Sequence, residues 1–172
     1  KTGQYLFNEE SSRTMNRAMY EIVCGAEGRY LSAEEVRLIG EYAAGYPQRV
    51  AASRRIGGLE DRVVGEAVEL LQTSASDPGV LAPDEWRQVF SSFVRNAARH
   101  HVVGGLDEFR NEWSPWAAEL LRTRVSADAA REAFELLRAQ LLAHLDAADS
   151  RILVEYVDVH LAEIRKSRTV LR

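Results

Sequence analysis

The stretch from Pro83 to Gly105, PDEWRQVFSSFVRNAARHHVVGG, reads as a helix with a marked start, a marked stop and one apolar side. Proline suits a first helical turn, where its missing N–H costs no hydrogen bond, and the Gly104-Gly105 pair closes the run. Between them Trp86, Val89, Phe90, Phe93, Val94, Ala97, Ala98 and His101 recur at i, i+3, i+4 and i+7, which gathers them on one face. His101 falls near the middle of that stripe, flanked by Arg87 and His100. A stripe of this kind is either core or one wall of a pocket for a flat, anionic ligand.

Around this helix the chain has 172 residues, enough for one domain with a real core. Hydrophobic residues make up 46% and charged residues 28%, the balance of a globular protein rather than a disordered one. The net charge of −4 gives no electrostatic reason to expect nucleic acid or an anionic membrane as partner. One cysteine, Cys24, rules out an internal disulfide and a cysteine-based zinc cluster, and it reads as a small buried apolar residue. No apolar run approaches the roughly 20 residues of a membrane span. The start KTGQYLFNEESS lacks the basic-then-apolar order of a signal peptide, so a cytoplasmic protein is expected.

Taken in order, almost every segment reads as helix. Ser11 and Ser12 are candidate caps for a first helix ending near Cys24, where Gly25 and Gly28 break the pattern. Ser32 and Glu35 have the spacing of a capping box for a second helix. Gly45-Tyr46-Pro47 predicts a stop, with helix resuming over Gln48–Ile56 and again after Gly57-Gly58. Thr73–Ala82 is the one sizeable loop. Beyond the Pro83 helix come a short helix over Leu106–Trp113, another started by Ser114-Pro115, and a long one capped by Ser126. A last helix is predicted from Asp149 or Ser150, and His160 and His144 on the late helices read as ordinary residues. The expected fold is all-α, with about eight helices: residues 1–25 as a helical extension and 26–172 as the main domain.

At Ala26–Ala67, AEGRYLSAEEVRLIGEYAAGYPQRVAASRRIGGLEDRVVGEA, the chain resembles the phycobiliproteins, the globin-like light-harvesting proteins of cyanobacteria. The likeness continues at RHHVVGG, which ends the central helix, and at EYVDVHLAEI near the carboxyl end. It implies a globin-like fold for residues 26–172. In that family a cysteine on the central helix forms a thioether to a linear tetrapyrrole, and an aspartate three residues later binds the pyrrole nitrogens. Those positions fall at about Arg87 and Phe90, which can do neither. The resemblance is therefore to divergent, non-antenna relatives, the bilin-biosynthesis-associated globins and the bilin-binding domains of cobalamin-linked photoreceptors. What it implies is a bilin such as biliverdin, held without a covalent bond.

For such a pocket the resemblance implies aromatic and aliphatic walls with a few polar anchors. Trp86, Phe90, Phe93, Trp113 and Trp116 are the candidate stacking residues, with Val94 beside them. Arg87, or else Arg95 or Arg99, is the candidate partner for a propionate, and His100 or His101 for a pyrrole or lactam. The expected role is photosensory, carrier or chaperone, and no acid–base, nucleophile or phosphate-loop pattern points to an enzyme. Two alternatives stay open. A haem-binding sensor lacks the proximal histidine a globin would place in WAAELLRTR, leaving only His100 or His101. A ligand-free helical module would act by dimerising or docking. The first helix corresponds to the dimer-forming region of phycobiliproteins, so a homodimer is expected under either reading.

Overall fold

A computed structural model describes residues 16–74 and 81–166, and every regular element among them is helical. There are six: α1, Arg17–Gly25; α2, Ala33–Ser74; α3, Pro83–Val103; α4, 106–122; α5, Ala127–His144; and α6, Ala147–Arg165. The all-α expectation holds, but the number among the described residues is six rather than eight. Three predicted breaks that do not form explain the difference.

The first two are in α2. It runs for 42 residues through Gly45-Tyr46-Pro47 and through Gly57-Gly58, about 63 Å at 1.5 Å per residue. Its second half is held by burial: Ala52, Ile56, Val63, Val64, Ala67, Val68 and Leu71 all lie in the core, which outweighs the weak helix propensity of two exposed glycines. The first half has no such support, since no residue from 33 to 51 is buried. There Gly40 and Gly45 each cost about 1 kcal/mol, and Pro47 about 3 kcal/mol, relative to alanine in a helix interior. Part of the repair is local. Arg49 donates from Nη2 to the Tyr42 carbonyl at 2.9 Å and from Nε to the Val102 carbonyl at 2.9 Å, tying this turn to the end of α3. The Ser32–Glu35 capping box is formed in both directions: Glu35 N–H donates to Ser32 Oγ at 3.2 Å and Ser32 N–H to Glu35 Oε2 at 2.7 Å.

The third absent break is at Ser114-Pro115. Ser114 caps nothing; α4 is continuous because Leu106–Glu108 runs into a π-helical stretch, Phe109–Trp113, and on into Ser114–Arg122. The Ser114 N–H donates to the Phe109 carbonyl, five residues back. That wider turn sets Phe109 and Ser114, both fully buried, on the same inward side.

Other ends differ by a few residues. Asn16 caps α1 by accepting from the Met19 N–H at 2.9 Å, and the candidate caps Ser11 and Ser12 lie outside the described residues. Thr73 and Ser74 extend α2 into the predicted loop, of which residues 75–80 lie outside the description. The α6 cap is Asp146, whose Oδ1 accepts from the Ala148 and Asp149 N–H groups at 2.9 and 2.8 Å. Asp149, expected at the helix start, is instead buried in the first turn and held by Arg55 through Nε and Nη2 at 2.6 and 2.7 Å. Cys24, expected to be buried, is exposed on α1. Pro83 and Ser126 do begin their helices as predicted. Gly104, at φ 69° and ψ 28°, ends α3 as only glycine does cheaply, with Gly105 N–H reaching the His100 carbonyl at 2.8 Å.

The second half of α2 packs with α3, α5 and α6 around one core, and α4 lies against α6. Trp86, Phe90, Phe93, Phe109 and Phe134 are its largest fully enclosed side chains. No helix among the described residues is long and apolar enough to cross a membrane.

Candidate functional site

The aromatic stripe of α3 points into the core, so it is not the surface a ligand would meet. The neighbouring stripe of the same helix is Glu85, Gln88, Val89, Ser92, Asn96, Arg99, His100 and Val103, and it faces α4 across a groove. Two cavities share that groove. One, of about 280 Å³, lies between Val89 and Ser92 on α3 and Ala117, Leu120 and Leu121 on α4. The other, of about 550 Å³, lies between Asn96, Arg99, His100 and Val103 on α3 and Glu108 and Glu112 on α4, with Asn16, Arg17 and Tyr20 of α1 on its outer side. Trp113 and Trp116 line both. From Glu85 to Val103 the stripe spans about 27 Å of helix.

The two ends differ in chemistry. The Glu85 end is mostly apolar and is closed by Arg124, whose Nη2 donates to Glu85 Oε1 at 2.5 Å. Glu85 also accepts from the Ala82 N–H at 2.8 Å. That amide, and after it Arg124, holds the Glu85 carboxyl below its usual range. The Val103 end is polar. Glu108 accepts from the Arg17 N–H at 2.6 Å, fastening α1 over the groove. His100 Nδ1 lies 2.8 Å from the Asn96 carbonyl oxygen. A carbonyl only accepts, so Nδ1 carries a proton, and the tautomer that this selects has its lone pair on Nε2. Among the described residues the Arg99 guanidinium has no ion pair, which leaves its donors open to an anion in the groove.

Beneath the two tryptophans lies a polar pair inside an aromatic cage. The Ser114 hydroxyl and His160 Nδ1 share a hydrogen bond of 2.9 Å, and both residues are buried. The His160 ring sits 4.6 Å from Phe134, 5.5 Å from Phe93 and 5.7 Å from Trp113, centre to centre, and it reaches the floor of the apolar cavity. Burial, and then the nearby Arg122 charge, push this imidazole down to about 4 against the pull of Ser114. It is neutral at any ordinary pH.

Of the eight residues singled out from the sequence, the structure brings Trp113, Trp116 and His100 to the groove. Trp86, Phe90 and Val94 are enclosed in the core. Arg87 opens onto a separate shallow recess between α2 and α3, near Asp61 and Arg95. His101 is half-buried in the last turn of α3, where burial and the Arg49 charge lower its pKa. Ser92, Ala117, Leu120 and His160 are groove residues that sequence reasoning passed over, and Val89, counted there with the apolar stripe, also lines the groove. Their signal was a second, mixed stripe at the same helical period, hidden beside a stronger aromatic one.

Among the described residues, no three His, Cys, Asp or Glu side chains are placed to hold a metal ion. No protein-family model matches the chain, and neither does any curated protein.

Proposed function

We propose that the chain is a globin-like, phycobiliprotein-related domain that holds a linear tetrapyrrole of the biliverdin type, without a covalent bond, in the groove between α3 and α4. The observation that carries this reading is the shape and polarity of the groove. Two cavities meet at a pair of tryptophans, one mostly apolar and the other polar and lined by Arg99 and His100. An extended chain of conjugated rings with acidic substituents needs stacking surfaces along its length and a few cationic or hydrogen-bonding anchors. Arg99 takes over from Arg87 as the anchor for a propionate, because Arg87 lies outside the groove. His100 is the partner for a pyrrole or lactam N–H. Cys24 stands on α1, not on either wall, so no thiol lines the groove for a thioether.

Mixing the protein with biliverdin and recording the visible spectrum tests the proposal. The expected result is a sharpened and displaced long-wavelength band; a spectrum equal to free biliverdin at saturating protein refutes it.

A haem-binding role is the second reading, favoured by one detail. An imidazole whose Nδ1–H is fixed on a backbone carbonyl presents Nε2 as metal ligands do. A Soret shift on haem titration that disappears in His100→Ala would establish it in place of the bilin.

A further inference from the structure

His160 has one ring nitrogen more than its protein partners use. Its Nδ1 shares the 2.9 Å hydrogen bond with the Ser114 hydroxyl, and both side chains are enclosed, His160 at 1% exposure and Ser114 at 0%. Among the described residues the Ser114 hydroxyl has no other hydrogen-bond partner. It carries one proton, and stranding that proton in an apolar cage costs more than a single bond returns. The Ser114 hydroxyl therefore donates to Nδ1. A neutral imidazole holds a single ring proton, so that of His160 sits on Nε2. This is the reverse of His100, where the Asn96 carbonyl fixes the proton on Nδ1.

The His160 Nε2–H has no acceptor among the described residues, yet it is not one of the sealed polar atoms of the interior. The opening that the ring lines is the apolar cavity of about 280 Å³ between α3 and α4, which Ser114 does not line. A donor from a buried ring thus meets a space walled by Phe134, Trp113, Trp116, Val89 and Leu121. Glu85 and Arg124, the charged residues along it, are paired with each other. Its volume is close to the roughly 300 Å³ at which small-molecule pockets begin.

We infer that the apolar cavity is a binding site for a flat, uncharged ring that carries a carbonyl oxygen, which accepts from the His160 Nε2–H while the aromatic walls cover the ring faces. Each part of that description follows from a wall. Two tryptophans and a phenylalanine favour a flat ring. The closed Glu85–Arg124 pair leaves no charge for an ionic group to answer. The donor selects against a purely apolar occupant, which would leave Nε2–H unpaired. The site stands whether or not a bilin fills the rest of the groove, although the end rings of a bilin are lactams of this kind.

Oxindole, a bicyclic lactam, and indole, the same frame without the carbonyl, are the probes. Calorimetric titration of the whole chain at neutral pH is expected to show one oxindole per chain, bound about tenfold tighter than indole. Nitrogen-15 spectra of the histidine rings should show His160 protonated on Nε2 in the free protein, with that resonance moving as oxindole is added. The double variant Ser114→Ala, His160→Phe removes the donor and the hydroxyl together, so no buried polar group is stranded, and it should bind oxindole no better than indole. Oxindole that binds no tighter than indole, a His160 proton on Nδ1, or a preference that survives the double variant overturns the inference. If the double variant does not fold, the wild-type spectra and the two titrations decide alone. Biliverdin enters none of these measurements, so its failure to bind would be a separate result.

Discussion

His160 shows how much one buried side chain decides. It was unremarkable as a letter in EYVDVHLAEI, yet it sits under Trp113 in a cage of aromatic rings with Ser114 as its partner. Its pKa of about 4 in the folded protein lies below the 6.5 of a free histidine. The folded state therefore binds fewer protons than the unfolded one between those values. Stability is full above pH 6.5, falls as the pH drops toward 4, and is flat with respect to this residue below that. The loss amounts to at most about 3 kcal/mol. His101, also lowered by burial, adds in the same direction. Thermal melts across pH 4–7 should show this slope in the wild type and a shallower one in His160→Gln; equal slopes would remove His160 from the account. At the groove itself, Trp116→Ala should weaken ligand binding about tenfold, from lost stacking, without lowering the melting temperature, because that side chain is 62% exposed.

The helices were easier to read than their ends. Pro83, Ser126 and Gly104 act locally, through a missing donor, a hydroxyl and a left-handed residue, so sequence alone marks them. Pro47 and the Gly57-Gly58 pair were misleading for the opposite reason: whether such residues break a helix depends on packing that comes from distant segments. The π stretch Phe109–Trp113 was invisible too, since its cause is the simultaneous burial of Phe109 and Ser114. Two predictions belong to this scale. Pro47→Ala restores the missing N–H for the Ala43 carbonyl and should stabilise the protein by about 2 kcal/mol in denaturant titrations. A neutral or destabilising result would mean that the proline serves the helix as it stands. Arg55→Met leaves the buried Asp149 carboxylate without its two charge-assisted bonds and should cost about 2 kcal/mol; Arg55 is itself half exposed, so the full penalty of a buried pair is not expected. If Asp149→Asn in the same background recovers nothing, the pair does not carry that energy.

At the scale of the molecule, the six helices of the described residues pack about one core, and a groove lined by Trp113 and Trp116 remains between α3 and α4. The all-α class and the importance of the Pro83 helix were legible from periodicity. The groove was not, because a single sequence ranks stripes by hydrophobicity, and the most hydrophobic stripe of α3 is the one that the core consumes. Trp113 and Trp116 were reached as aromatic residues able to stack on a ring system, not from any stripe. Whether this groove holds a bilin, as proposed, is decided by a stoichiometric titration with biliverdin. Bilin absorbance and tryptophan fluorescence are followed together, in the wild type and in Ser92→Trp, which fills the groove. Both signals are expected to break at one bilin per chain in the wild type, and neither in Ser92→Trp. Signals that rise without saturating, or a break that Ser92→Trp leaves in place, would contradict it.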